Sequence, residues 1–149
     1  MCLDYVYAHR CEGWTGYTVI KPSQWEGEEL TKILAGSGPR IGYKVFRKMK
    51  AGVYVGHVKS GYTYKFKKSY ESKTNFMLET ACQTGVIYQS GYHILWSRQD
   101  ARRYKRLHSV LDRNLVICKV KYWNTTCVGQ QDGNRVVISP NMQILEEVT

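Results

Sequence analysis

The residues best able to do chemistry in this sequence are cations interleaved with rings. Between Gly42 and Lys73 lie nine basic residues, with Tyr43, Phe46, Tyr54, Tyr62, Tyr64, Phe66 and Tyr70 among them. Adjacent strands would set Arg47, His57, Tyr62, Tyr64 and Lys65 on a pleated surface. A ring face can stack a base while Lys or Arg neutralises phosphate. Further on, Tyr92 and His93 sit together in a strand signal. Arg98, Arg102, Arg103, Lys105 and Arg106 cover one side of a predicted helix, and Lys119 and Lys121 end a later strand. The candidate binding set is therefore Tyr43, Arg47, His57, Tyr62, Tyr64, Lys65, Tyr92, His93, Arg98, Arg102, Lys119 and Lys121. The ligand expected there is a phosphate-bearing, nucleotide-type anion. A half-exposed sheet with a solvated basic face is the competing explanation, since aromatics are also good strand formers.

Catalytic material is scarce. The sequence contains no GxxxxGK[ST], no GxGxxG and no nucleophile elbow. Between residues 40 and 121 the acids are Glu71, Glu79, Asp100 and Asp112, too few for a paired-carboxylate or two-metal centre. Cys2, His9 and Cys11 could offer three zinc ligands, but no second CxxC or HxxxH completes a tetrahedral set. The expectation is a binder rather than an enzyme, with no catalytic residue, no cofactor and no metal.

The elements that must position these residues are mostly strands. Tyr43 to Lys48 places Tyr43, Val45 and Arg47 on one face and Lys44, Phe46 and Lys48 on the other. Val53 to Val58 and Tyr62 to Lys67 alternate likewise and are joined by Lys59-Ser60-Gly61, a hairpin signal. Residues 69–84 read as a polar, irregular loop. Tyr92 to Trp96 is a strand, and Ser97 with Asp100 caps a helix over 98–111 whose buried face is Ala101, Tyr104, Leu107 and Leu111. Leu115 to Trp123 is the strongest strand. Val116, Cys118, Val120 and Tyr122 face one side. On the other, Leu115 and Ile117 give way to Lys119, Lys121 and Trp123. Asp132-Gly133 predicts a type I′ hairpin between 126–130 and 135–139, and 142–148 adds a last strand. Earlier in the chain, Thr18 to Lys21 is a short strand, and Ser23 with Glu26 opens a helix that Gly36 ends. The fold class is α+β: a mixed, mostly antiparallel sheet or split barrel with two main helices. Gly36-Ser37-Gly38-Pro39 divides an N-terminal arm, 1–39, from a β-rich main domain, 40–149.

Composition narrows the partners. The chain has 149 residues and a net charge of +10, with 43% hydrophobic and 23% charged residues, an ordinary globular balance. Residues 1–39 carry a net of −2, residues 40–121 a net of +14, and residues 122–149 a net of −2. The electrostatic argument therefore belongs to the middle of the chain. No apolar run is long enough for a membrane span, and the N-terminus lacks the apolar segment of a signal peptide. Five cysteines at irregular spacing read as reduced thiols, which places the protein in the cytoplasm, without a membrane partner. An oligomer is compatible with all of this.

Two stretches carry a resemblance. Gly42-Tyr43-Lys44-Val45-Phe46-Arg47 and Gly91-Tyr92-His93-Ile94-Leu95-Trp96-Ser97, followed by Asp100-Ala101 and Tyr104, resemble small proteins encoded by phages and prophages. That layout, over roughly 42–145, is distantly similar to the ADP-ribosyltransferase fold. The resemblance implies a nucleotide-contacting first strand, an aromatic strand before a helix, and a catalytic glutamate on a later strand. This chain departs from it: Gln130 and Gln131 stand where the glutamate is expected, and Glu146 and Glu147 lie far toward the C-terminus. The leading expectation is a non-catalytic phage protein that sequesters a nucleotide-type host immune signal. The alternatives are an inhibitor that binds nucleic acid or a nucleoprotein effector, and a transferase-like enzyme using Tyr92, His93 and a glutamine or distal glutamate.

Overall fold

The computed structural model describes residues 3–9, 18–19, 38–56, 63–72, 78–81, 87–110, 112 and 114–148. In chain order these form β1 (Tyr5–His9), β2 (Thr18–Val19), β3 (Arg40–Lys50), β4 (Val53–Gly56), β5 (Thr63–Lys65), β6 (Ser69–Glu71), β7 (Leu78–Thr80), β8 (Ile87–Gln89) and β9 (Tyr92–Leu95). The helix α1 (Arg98–His108) follows, then β10 (Leu115–Trp123), β11 (Cys127–Gln131), β12 (Asn134–Ser139) and β13 (Asn141–Val148). The main sheet runs β2-β1-β11-β12-β9-β3-β10-β13-β6, with β4 and β5 attached to β3, and β7 and β8 form a separate pair. Every pairing among the described residues is antiparallel.

The sheet is antiparallel and open, so the split-barrel expectation is corrected. Among the described residues there is a single helix rather than two, because the predicted helix after Ser23 lies outside them. The Lys59-Ser60-Gly61 turn also lies outside them. Residues 69–84 are not one irregular loop: Ser69–Glu71 pairs with Asn141–Gln143, and Leu78–Thr80 pairs with Ile87–Gln89. Polar composition hid these short strands; the edge of β13 recruits β6 through backbone pairing, while β7 and β8 pair with each other. The predicted N-terminal arm contributes β1, which lies beside β11 in the same sheet.

Alternation builds two cores, one on each face. On the first face Val45, Leu95, Leu115, Ile117, Val136 and Ile138 pack against Ala101 and Tyr104 of α1, which lies across β3, β9, β10 and β12. On the second, Phe46, Tyr54, Tyr64, Ile94, Cys118, Val120, Tyr122, Met142 and Ile144 pack together. There β4, β5 and β6 fold over the sheet as a strap. The Lys67 amide donates to the Ile144 carbonyl at 2.8 Å, and Gln143 Nε2 donates to the Lys67 carbonyl at 2.6 Å. The strap's rings meet edge-on or tilted: Phe46–Tyr64 at 5.7 Å, Tyr64–Tyr70 at 4.9 Å and Tyr64–Tyr92 at 6.0 Å between centroids. Each such contact contributes about 0.5–1.5 kcal/mol beyond area burial.

The helix begins where its sequence says. Ser97 Oγ accepts from the Asp100 amide at 3.0 Å, a cap that contributes about 1 kcal/mol. Asp100, fully buried, also receives Arg103 at 2.7 Å and Arg135 at 3.2 Å, tying the first turn to β12. The helix ends at His108, one turn short of the expected 111. Leu107 is 57% exposed rather than buried, because α1 seats only Ala101 and Tyr104 against the sheet. At the β11–β12 turn, Asp132 and Gly133 have φ of 50° and 76°, the positive pair that a type I′ hairpin needs.

Gly42 marks the tightest approach within the sheet. A Cβ there would lie 2.6 Å from Ile94 Cγ2, 3.0 Å from Tyr122 Cε1 and 3.1 Å from the Leu95 carbonyl oxygen. Gly42→Ala is expected to destabilise the protein by about 1–3 kcal/mol through overpacking. Gly38→Ala, with nothing within 4 Å, should be close to neutral. Urea denaturation of the two variants measures the contrast; equal stabilities would mean the β3–β9–β10 packing is looser than described.

Candidate functional site

The face of β10 that α1 covers changes character along the strand. Leu115 and Ile117 lie in the helix-side core, and the next residues on that face are Lys119 and Lys121, both half-buried. Lys119 stands directly opposite Tyr43 on β3, and Lys121 opposite Ile41, which is 44% exposed. Arg98, the first residue of α1, holds its guanidinium 5.8 Å from the centroid of the Tyr43 ring, within cation–π range. One half-buried phenol is thus flanked by a cation from the helix and a cation from the neighbouring strand. Arg102, exposed one helical turn after Arg98, shares its side of the helix. Glu146 holds its carboxylate 3.8 Å from Lys119 Nζ, a loose pair in partly exposed surroundings that is worth little.

Four of the sequence-predicted site residues, Tyr43, Arg98, Lys119 and Lys121, therefore belong to one face, with Arg102 beside them. Others do not. Arg47 faces the same side farther along β3 and is engaged with Asp112 at 2.7 Å. Tyr64 is buried within the strap's aromatic core, and Tyr92 packs against that core from the sheet. Their rings meet edge-on, and burial together with the Tyr64 hydroxyl pushes the Tyr92 phenol well up from its ordinary value. These two rings hold the fold together rather than offer a stacking platform. Lys65 is exposed on the outer side of the strap. His93 is half-buried in β9, and its backbone carbonyl receives a lysine. His57 and Tyr62 lie outside the described residues.

That lysine is Lys44, which the sequence reading placed on the Phe46 face but left out of the candidate set. Its Nζ donates to the His93 carbonyl at 2.9 Å and lies 5.7 Å from the centroid of the Phe46 ring. Burial pushes its amine down to about 8. The signal was available: a lysine sharing a strand face with Phe46 is buried once that face is covered. At the far end of β3, Glu147 accepts from the Tyr54 hydroxyl at 3.0 Å and pairs with Lys48 at 3.0 Å. Both partners occupy the carboxylate beside an open depression of about 400 Å³ lined by Lys48, Lys50, Asn114 and Val116. Cys118 beneath it is pushed up to about 12, first by burial and then by the Glu147 charge, so its thiol stays protonated.

The residues that the transferase reading would need are spread across the sheet. Tyr92 and His93 are on β9, Glu146 and Glu147 on β13, and Gln130 and Gln131 on β11. β9 and β13 are separated by β3 and β10, roughly 14 Å at ordinary strand spacing. Among the described residues, no three His, Cys, Asp or Glu side chains come together as a metal site, and no helix is long and apolar enough to cross a membrane. Comparison of the chain with protein-family models, with curated proteins and with solved structures returns no match.

Lys44 gives the fold a pH signature. Its folded value of about 8 lies below the ordinary lysine value, so between these limits the unfolded chain holds more protons and stability rises with pH. The cost of the buried ammonium is fully present below pH 8. Tyr104 and Tyr122, both raised to about 12, act with the opposite sign once unfolded phenols ionise near pH 10. Comparing wild type with Lys44→Met isolates the amine. The stability difference should shift by up to about 1.4 kcal/mol per pH unit across pH 8–10, the limit for one proton. Denaturant titrations at several pH values read it, and a pH-independent difference would contradict the desolvated amine.

Proposed function

We propose that the protein is a non-catalytic binder of a phosphate-bearing, nucleotide-type anion, held on the face formed by Tyr43, Arg98, Lys119 and Lys121. The observation that carries this reading is the register of β3 against β10, which places Lys119 across from Tyr43 while Arg98 lies over the same ring. A ring between two cations can contact a base or ribose while the cations pair with phosphate oxygens. Glu146 pairs only loosely with Lys119, which leaves much of that cation's charge available. In the phage setting that the sequence resemblance implies, such a binder sequesters a nucleotide signal of host immunity without destroying it.

The reading favours a compact anion over a long polyanion, because the cations converge on one ring. Calorimetry with cyclic nucleotides and ADP-ribose derivatives should show stoichiometric binding, with the ligand recovered intact. Lys119→Glu and Arg98→Ala should each weaken it by about 10-fold or more, the scale of one charge-assisted hydrogen bond. Gly38→Ala should leave it unchanged. Absence of binding across the panel would overturn the proposal. Binding restricted to oligonucleotides, with affinity falling steeply as salt rises, would assign the face to nucleic acid instead.

A further inference from the structure

Lysines gather where the β3–β4 turn lies against the β5–β6 turn. The Phe66 amide donates to the Gly52 carbonyl at 3.4 Å, which joins the two turns. Register sets Lys50 and Lys65 on either side of Val53, in one row across β3, β4 and β5. Residues directly opposite in a sheet share a face, and this face is turned away from buried Tyr54 and Tyr64. Lys67 and Lys68 follow in the β5–β6 turn, and all four lysines are exposed. Lys67 has a φ of 58°, a conformation that glycine or asparagine adopts at lower cost. Its amide donates to the Ile144 carbonyl and its carbonyl accepts from Gln143, so the strained turn is anchored to β13. A lysine kept at that cost marks a surface that uses the charge. Among the described residues no carboxylate pairs with any of the four, whereas Lys48 is held by Glu147. The Phe66 ring stands 5.3 Å from that of Tyr54, beside Gly52, and is 40% exposed.

We propose that this corner binds single-stranded nucleic acid, with the lysines pairing with successive phosphates and Phe66 stacking a base. The inference concerns another part of the surface than the Tyr43 face and does not depend on the nucleotide reading. The spread of the charge sets the class of ligand. Lys50 and Lys65 stand two strands apart, about 10 Å at ordinary strand spacing, and Lys67 and Lys68 lie farther along the chain. One small anion does not span that array, whereas a polyanion does. Lysines act as mobile point charges, which suits a backbone read without regard to sequence. The exposed ring selects a single strand, since a duplex keeps its base faces stacked against each other. Met49, 62% exposed beside Lys50, offers apolar surface to either a base or a lipid. The tip of the β3–β4 turn, however, is Ala51-Gly52, which gives a bilayer little to hold.

The test is fluorescence anisotropy of the full chain with a labelled oligothymidylate, titrated at several salt concentrations. Four neutralised phosphates give a slope of log affinity against log salt of about −3, at about −0.7 each for a single strand. Lys50→Gln combined with Lys65→Gln should weaken binding by about 10-fold or more and flatten the slope by about 1.4. Both positions are exposed, so the fold is retained. Phe66→Leu keeps an apolar contact for Tyr54 but removes the π face; it should weaken binding by about 5-fold or more with the slope unchanged. Arg98→Ala should leave oligonucleotide affinity within about 2-fold of wild type, because distant surface charges are screened. The double glutamine variant should still bind the nucleotide panel as wild type does, so the two sites fail separately. Absence of oligonucleotide binding by the wild-type protein would overturn the inference. So would binding that survives in the double variant and is lost in Arg98→Ala. Co-sedimentation with phosphatidylserine vesicles in place of oligonucleotide binding would overturn it in favour of a lipid surface.

Discussion

Burial of the β3–β10 pair on both faces is the constraint from which the rest of this structure follows. Each strand lies inside the sheet, β3 between β9 and β10, and β10 between β3 and β13. Each therefore has two faces that must leave water. A single helix covers one of them, and it covers only part: Leu115 and Ile117 are taken into the helix-side core while Lys119 and Lys121 stay half-buried. Among the described residues the other face has no helix, and β4, β5 and β6 close it. Short strands bring few aliphatic side chains, so large rings fill the space instead. This explains why so many tyrosines and phenylalanines fall between residues 43 and 70, a density that reflects packing before it reflects ligand binding.

The same constraint sorts the cations. Where a cation has a carboxylate in reach, it is spent on structure: Arg47 on Asp112, Lys48 on Glu147, Arg103 and Arg135 on buried Asp100. Asp100 justifies its burial because it receives two guanidiniums and the hydroxyl of Ser97 as well. Arg98 lies over Tyr43, and Lys119, only loosely paired with Glu146, stands opposite it on β10. The positive middle of the sequence is therefore partly internal wiring, and the portion that remains available for an anion is smaller than the net charge suggests.

How much of this was legible follows from which forces act locally. The Ser97–Asp100 cap, the two-sided alternation of 115–123 and the Asp132-Gly133 hairpin are properties of a few adjacent residues, and each is found at its expected place. The strap is different. Nothing in Ser69-Tyr70-Glu71 marks a strand by itself; it becomes one because the edge of β13 offers unpaired backbone groups. Leu107 fits the apolar spacing of the helix but is exposed, since spacing cannot say where a helix lifts off its sheet. Of the proposed ligand residues, those whose faces were set by alternation in long strands, Tyr43, Lys119 and Lys121, share one face. Tyr64 and Tyr92 do not, because their burial depends on a segment folding back from far along the chain.

The consecutive pair Tyr43 and Lys44 shows how strongly function here rests on strand register. Tyr43 faces the helix side among cations, and Lys44 faces the strap beside Phe46 and the His93 carbonyl. In a strand a slip of one residue exchanges faces, which would bury the phenol's neighbours and expose the amine. Gly42 opposes that slip. The space bounded by Ile94, Tyr122 and the Leu95 carbonyl accepts a hydrogen and no Cβ. Its neighbours on either side are Ile41 and Tyr43, and neither could occupy it. The glycine therefore fixes the alignment of β3 against β9 and β10. The placement of both side chains, the Tyr43 ring beside Arg98 and the Lys44 amine bonded to the His93 carbonyl, depends on that one missing side chain.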